Sequence, residues 1–197
     1  VRPAWLTSDR YHLRPLLASD AADSSRWFPG PYPVGPAAAA RWLEEQHRWS
    51  PWDDPPGTIL AIVDHGAVGR EQVVGSVRLS RLRGRASDVT IHVFQALGDE
   101  EQDRVAAAAL GLVVPWATGE LELMAVTVPV AADRPQSMAA AERCGMIPTT
   151  RLRQHVARPA GRVDLLWYQA LNPDAPAVDR STLPPGAGAM PGDGDDA

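Results

Sequence analysis

Apolar and polar residues alternate over Tyr11-His-Leu-Arg-Pro-Leu16, which predicts a first strand. Ser19 or Asp20 is placed to cap a short helix over Ala21–Trp27. Pro29-Gly-Pro-Tyr-Pro33 repeats proline at two-residue spacing, which forbids a helix there. Ala40, Leu43 and His47 share one side of Ala37–Trp49 and predict an amphipathic helix, ended by a Pro-rich loop over Ser50–Gly57. Thr58–Val63, Val73–Leu82 and Ala86–Phe94 are separated by turns at His65–Arg70 and Arg83–Arg85, the spacing of an antiparallel meander. In the third of these strands Val89, Ile91 and Val93 point one way, and Asp88, Thr90, His92 and Phe94 the other. After an acidic stretch, Gly98–Asp103, Val105, Ala109, Leu112 and Trp116 recur at helical spacing over Arg104–Ala117, with Asp99 as a candidate cap. Glu120–Val128 reads as a strand ended by Pro129, Gln136–Cys144 as a helix stopped by Gly145, and Arg151–Val156 with Asp164–Leu171 as a closing hairpin. The order predicts one α/β domain with helices on both faces of its sheet.

Composition narrows the function. The 197 residues suit one domain over 1–172. Residues 173–197 are Pro, Gly, Ala and Asp in the main and are expected to be a disordered acidic tail. All 19 basic residues are Arg, so no lysine chemistry is available. The net charge is −5, of which residues 174–197 carry −4 (five Asp, one Arg). No basic stripe with interleaved aromatics occurs, which speaks against a nucleic-acid partner. Cys144 is the single cysteine, so neither an internal disulfide nor a zinc-type cysteine spacing exists. No charged-then-apolar leader and no long apolar run is present, so a cytoplasmic protein without membrane association is expected.

Three local runs carry a family resemblance. Arg134-Pro-Gln-Ser137 opens a helix that Ala139-Ala-Ala-Glu-Arg-Cys-Gly145-Met146 closes, Leu13-Arg-Pro-Leu16 stands at the start, and Asp164-Leu-Leu-Trp-Tyr168 at the end. Over roughly residues 11–172 this order and spacing resembles the GCN5-related N-acetyltransferases, and the opening is similar to the branch that acetylates the N-termini of ribosomal and other proteins. The resemblance implies a mixed, mainly antiparallel central sheet and transfer of an acetyl group, from acetyl-CoA or another acyl-CoA, to a small-molecule or peptide amine by direct attack. A monomer or homodimer is expected. One departure stands out. The family cradles the donor's pyrophosphate with an Arg/Gln-x-x-Gly-x-Gly/Ala loop at a helix N-terminus, where small residues let backbone N–H groups approach the phosphates. Aligned on Ala109-Leu110, those positions hold Asp99, Gln102 and Arg104. Both glycines are gone, four carboxylates (Asp99, Glu100, Glu101, Asp103) crowd the spot, and Arg134 replaces the family's Asn. A second reading therefore stands beside the transferase: a non-catalytic or repurposed member that has lost coenzyme A binding and takes a small molecule or a protein partner.

The resemblance also implies where the chemistry lies. The family holds its thioester in a splay between two strands, here flanked by Phe94 and Gln95 on one side and Ala125–Thr127, with Val126, on the other. His92, on the polar face near the strand end, is the best-placed base because its ordinary pKa is near neutrality. Glu122 is a second candidate, and Asp88 lies on the same face as His92 but further off, as a substrate contact. Ser137 is a candidate catalytic or donor-contacting hydroxyl, or simply a helix cap, and Gln102, Arg104 and Arg134 are the remaining donor contacts. Trp27, Phe28 and Tyr32 fall where the family walls its acceptor pocket. A structural explanation competes at each position: half-buried histidine, surface ion pairs and core aromatics.

Overall fold

The computed structural model describes residues 5–17, 19–20, 37, 40–41, 58–66, 71–80, 86–94, 96–172 and 174. The helix expected at 21–27, the loop at 29–33, the turn at 83–85 and the tail beyond 174 lie outside the described residues, as does most of the helix expected at 37–49. Eight strands form one sheet: β1 (Leu6–Thr7), β2 (Tyr11–Pro15), β3 (Thr58–Asp64), β4 (Gln72–Ser80), β5 (Ala86–Val93), β6 (Ala125–Ala131), β7 (Ile147–Arg158) and β8 (Gly161–Leu171). Their spatial order is β1-β2-β3-β4-β5-β6-β8-β7, and every neighbouring pair is antiparallel except β5 and β6. Helix α1 (Asp99–Gly119) makes the crossover that this one parallel pair requires, and α2 (Pro135–Arg143) follows β6.

Alternation along the strands builds two layers. Leu13, Leu60, Ile62, Val77, Leu79, Val89, Val126, Val128 and Val130 turn to one face and pack with Val105, Ala109, Leu110, Val113 and Trp116 of α1. Leu16, Ala61 and Val63 turn to the other face, where Ala40, helical together with Arg41, packs against them. Gly75 is a close-approach glycine. A Cβ there would lie 2.3 Å from the His92 carbonyl oxygen, so only glycine lets β4 and β5 meet beside the bulge at Ile62/Val63.

The boundaries of α1 and β6 differ from the sequence reading for physical reasons, and β7 runs over Ile147–Arg158, longer than the predicted Arg151–Val156. The acidic stretch is not a loop before the helix but its first turns: α1 begins at Asp99 with Gly98 as N-cap, and no side chain caps it. Acidic residues at 99–101 face the positive end of the helix dipole, which favours extending the helix through them. The strand predicted at 120–128 starts at Ala125 and continues through Pro129. Asn172 N–H donates to the Met124 carbonyl and Ala132 N–H to that of Asp164, so even-numbered residues of β6 bond to β8 and odd-numbered ones face β5. The ladder with β5 stops at Thr127, so the missing N–H of Pro129 costs no ladder bond. Pro115 lies inside α1, where it cannot donate to the carbonyl of Gly111; both residues are exposed, so that carbonyl is open to solvent. Gly145, at φ +73°, ends α2 as expected, its N–H donating to Glu142 O while that of Met146 donates to Ala141 O. Among the described residues no helix is long and apolar enough to cross a membrane.

Candidate functional site

The site grows out of the one parallel strand pair. β5 and β6 are in register only at Ala86↔Ala125, Ser87↔Val126 and Asp88↔Thr127, and beyond these they diverge. Phe94 N–H donates to Val74 O at 2.7 Å, so even-numbered residues of β5 bond to β4. The main-chain groups of Ile91 and Val93 on the other side therefore meet no neighbouring strand. This slot opens into a cleft of about 220 Å³ lined by Ile91, Val93, Ala106, Leu110, Val128 and Pro129, with Gln102, Arg134, Ser137 and Arg158 at its polar end.

The polar end is tied up by the protein itself. Asp103, 3% exposed, points from α1 into the N-terminus of α2. Its carboxylate accepts from the backbone N–H of Gln136 (2.8 Å) and of Ser137 (2.9 Å) and from the Ser137 hydroxyl (2.5 Å). The first turn of α2 is thus capped from another helix, and its anion-binding end is filled by an internal anion. Arg134 donates to the Asp99 carboxylate at 2.9 Å and to Gln102 Oε1 at 3.3 Å, and also bonds the Asp99 carbonyl. Gln102 donates to Leu97 O at 2.6 Å. Arg104 is held by Glu100 at 2.9 Å and by Glu101, whose other oxygen accepts from Tyr11 Oη at 3.0 Å. Burial, and then the hydrogen bond to Glu101, push the Tyr11 pKa up to about 12. Arg158 pairs with Asp133 at 2.7 Å, which holds the Asp133 carboxyl below its ordinary value.

The sequence-predicted residues are thereby sorted. Gln102, Arg134 and Ser137 are brought together at the cleft; Ser137 is not the helix cap, because the N-cap is Arg134 and the cap comes from Asp103. His92 stands at the slotted end of β5, on the sheet face opposite α1, in one row with Ser76, Ala61 and Arg14. Burial, and then Arg78, lowers its pKa. Phe94 lies just past that strand end, while Asp88 sits at the other end of β5, paired with Thr127. Val126 is fully buried in the ladder, and the slot is framed by Val128–Ala131 instead of Ala125–Thr127. The shift follows from the later start of β6. Glu122 is exposed in the turn before β6 with φ +50° and is not among the residues that line the cleft. Trp27, Phe28, Tyr32 and Gln95 lie outside the described residues. Cys144 is half-buried against the core and burial pushes its thiol pKa up, the behaviour of packing filler. Sequence reasoning missed Asp103 as a cap: it lies 33 residues from Gln136, and local capping rules see only neighbours.

One slotted parallel pair flanked by a crossover helix sets this α/β domain apart from a purely antiparallel sheet. The chain belongs to the acetyltransferase (GNAT) domain family, whose pattern matches residues 3–147. It is similar to a candidate acetyltransferase of Sphaerobacter thermophilus at 37% identity and a TM-score of 0.69, over 88% of this chain and 99% of that one. Two further structures share the fold: a ribosomal-protein-S5-alanine acetyltransferase of Vibrio fischeri (14% identity, TM-score 0.60, 88% and 100% covered) and a spermidine/spermine N-acetyltransferase of Vibrio cholerae (15%, 0.58, 83% and 93%). Comparison with curated protein sequences finds no match. The family's fold supports acyl transfer and leaves the acceptor open.

The residues present fit one half of coenzyme A and not the other. The slot, apolar with free main-chain edges, suits an extended thiol arm that adds to β5 like a short strand. The diphosphate half does not fit. The family's cradle segment is wound into α1, where Gln102 N–H is spent on Gly98 O, and the nearby arginines are spent on carboxylates.

Proposed function

We propose that this protein is a repurposed member of the acetyltransferase family: the slot between β5 and β6 binds a small, uncharged molecule, and coenzyme A is not taken up in the family's manner. The observation that carries this is the start of α1, where the family cradles a diphosphate: the segment is wound into helix from Asp99, Gln102 N–H donates to Gly98 O, and Asp99, Glu100 and Glu101 crowd the first turn. A cleft of about 220 Å³ is below the ~300 Å³ at which drug-sized ligand pockets begin, which suits a small occupant. Calorimetric titration with acetyl-CoA tests it. No heat is expected up to about 1 mM ligand, whereas a dissociation constant near 1 μM overturns the proposal.

One observation favours a second reading, an N-acyltransferase acting on a small amine or a protein N-terminus. His92 is kept neutral by burial, the form a general base needs, at the slotted end of β5. In this reading the first turn of α1 must unwind to admit the donor, and His92→Ala lowers turnover by roughly 10²–10⁴-fold. Turnover that survives His92→Ala removes His92 from that mechanism.

A further inference from the structure

On the sheet face opposite α1, at the end of β2 and β3, two histidines meet. His12 Nδ1 lies 2.6 Å from His65 Nε2, with the ring centroids 4.3 Å apart. This is shorter than the usual range of an N–H···N contact. His12 is 2% exposed and stacked under Trp5, with ring centroids 5.8 Å apart. Its other nitrogen, Nε2, is the one buried side-chain N or O atom among the described residues without a hydrogen-bond partner. A buried imidazole with one nitrogen bare and the other crowded by a second imidazole is not accounted for by internal hydrogen bonding. Glu71 completes the group: its Oε1 is 4.0 Å from His65 Nδ1, and one ligand atom from each of the three residues falls within 4.8 Å of the others.

We propose that His12, His65 and Glu71 form a binding site for one divalent transition ion of the zinc type, bound by two imidazoles and a carboxylate with a fourth position open to solvent. Imidazole and carboxylate are ligands that such an ion accepts, and three protein ligands with one open position is a common set for it. The fold presents the set from three strand ends. His12 comes from β2, His65 directly follows β3 and is held by its N–H donating to Arg10 O at 3.0 Å, and Glu71 directly precedes β4. The competing charges nearby are already matched. Arg14 pairs with Asp20 at 2.7 Å, and Asp64 is held by Arg10 and the Gly66 N–H. Two imidazole nitrogens on a tetrahedral ion at ~2.0–2.1 Å stand about 3.3 Å apart, so the pair must open slightly. His65, with a side chain 45% exposed, has the room to turn. The ion then fastens the ends of β2, β3 and β4 together.

The test is calorimetric titration of zinc chloride into the untagged, chelator-washed full chain, with His65→Ala and Glu71→Gln beside it. Both substitutions are at exposed side chains and leave the buried ring of His12 in place. One ion per chain is expected, with a raised melting temperature, and each variant should weaken uptake by at least the roughly 10–100-fold that loss of an outer-shell partner costs. Two results overturn the proposal: no uptake by the parent chain at about 1 mM zinc, or uptake by both variants equal to that of the parent.

Discussion

Replacing Asp103 probes the contact that ties the first turns of α1 to the start of α2. In Asp103→Ala the α2 N-terminus loses the acceptor for two backbone N–H groups and the Ser137 hydroxyl. Ser137 is buried, so its N–H is left unpaired away from water, at about 2 kcal/mol. The Gln136 N–H is only part-buried and recovers a water, leaving roughly 0.5–1 kcal/mol. With the lost charge–dipole attraction the sum is about 3 kcal/mol. Asp103→Asn keeps the shape and one acceptor oxygen and should cost about 1–1.5 kcal/mol. Urea denaturation followed by circular dichroism reads both. With a slope near 2–3 kcal/mol/M, the alanine variant's midpoint falls by about 1–1.5 M. Ser137→Ala supplies the control: because Ser137 and Asp103 share a bond, the double variant should cost clearly less than the two single changes added. An Asp103→Ala variant within ~0.5 kcal/mol of the parent would refute the reasoning. The α2 end would then be free in solution, and a phosphate ligand could reach it.

Two other outcomes follow from the same geometry. Gly75→Ala drives a Cβ against the His92 carbonyl, which is backbone and cannot swing aside, so β4 and β5 must part; about 3 kcal/mol is expected, or a melting temperature lower by roughly 6–12 °C in a scanning experiment. His92 titrates below its ordinary value of 6.5 in the folded chain. As pH falls from 6.5 toward the folded pKa, the unfolded chain takes up a proton that the folded one refuses, and stability drops across that window. His92→Gln should reduce this slope in denaturant titrations at pH 7 and pH 5.5, His12 keeping its own share, and an unaltered slope would mean that burial does not hold the His92 ring neutral.

Much of the fold was legible along the chain. Alternation over Tyr11–Pro15 and Ala86–Val93 and the apolar run at Thr58–Val63 marked strands, and Gly145 marked a helix end because it takes φ +73°. The start of α1 was not legible, since Asp99–Asp103 reads as polar loop until a dipole and a neighbouring helix give those carboxylates partners. Pro129 misled for a related reason: whether a proline ends a strand depends on whether its N–H side has a neighbour, and here the ladder had already parted.

The sequence by itself determined the α/β order, the loss of the phosphate-loop glycines and the residues available at the cleft, because these depend on periodicity and residue type. Only the tertiary structure decided that Asp103 caps α2, that Arg134 is spent on Asp99, that Glu122 does not line the cleft and that His12 meets His65. The three contacts among these join segments 30 or more residues apart. They are fixed by how helix and strands pack, which no local pattern records.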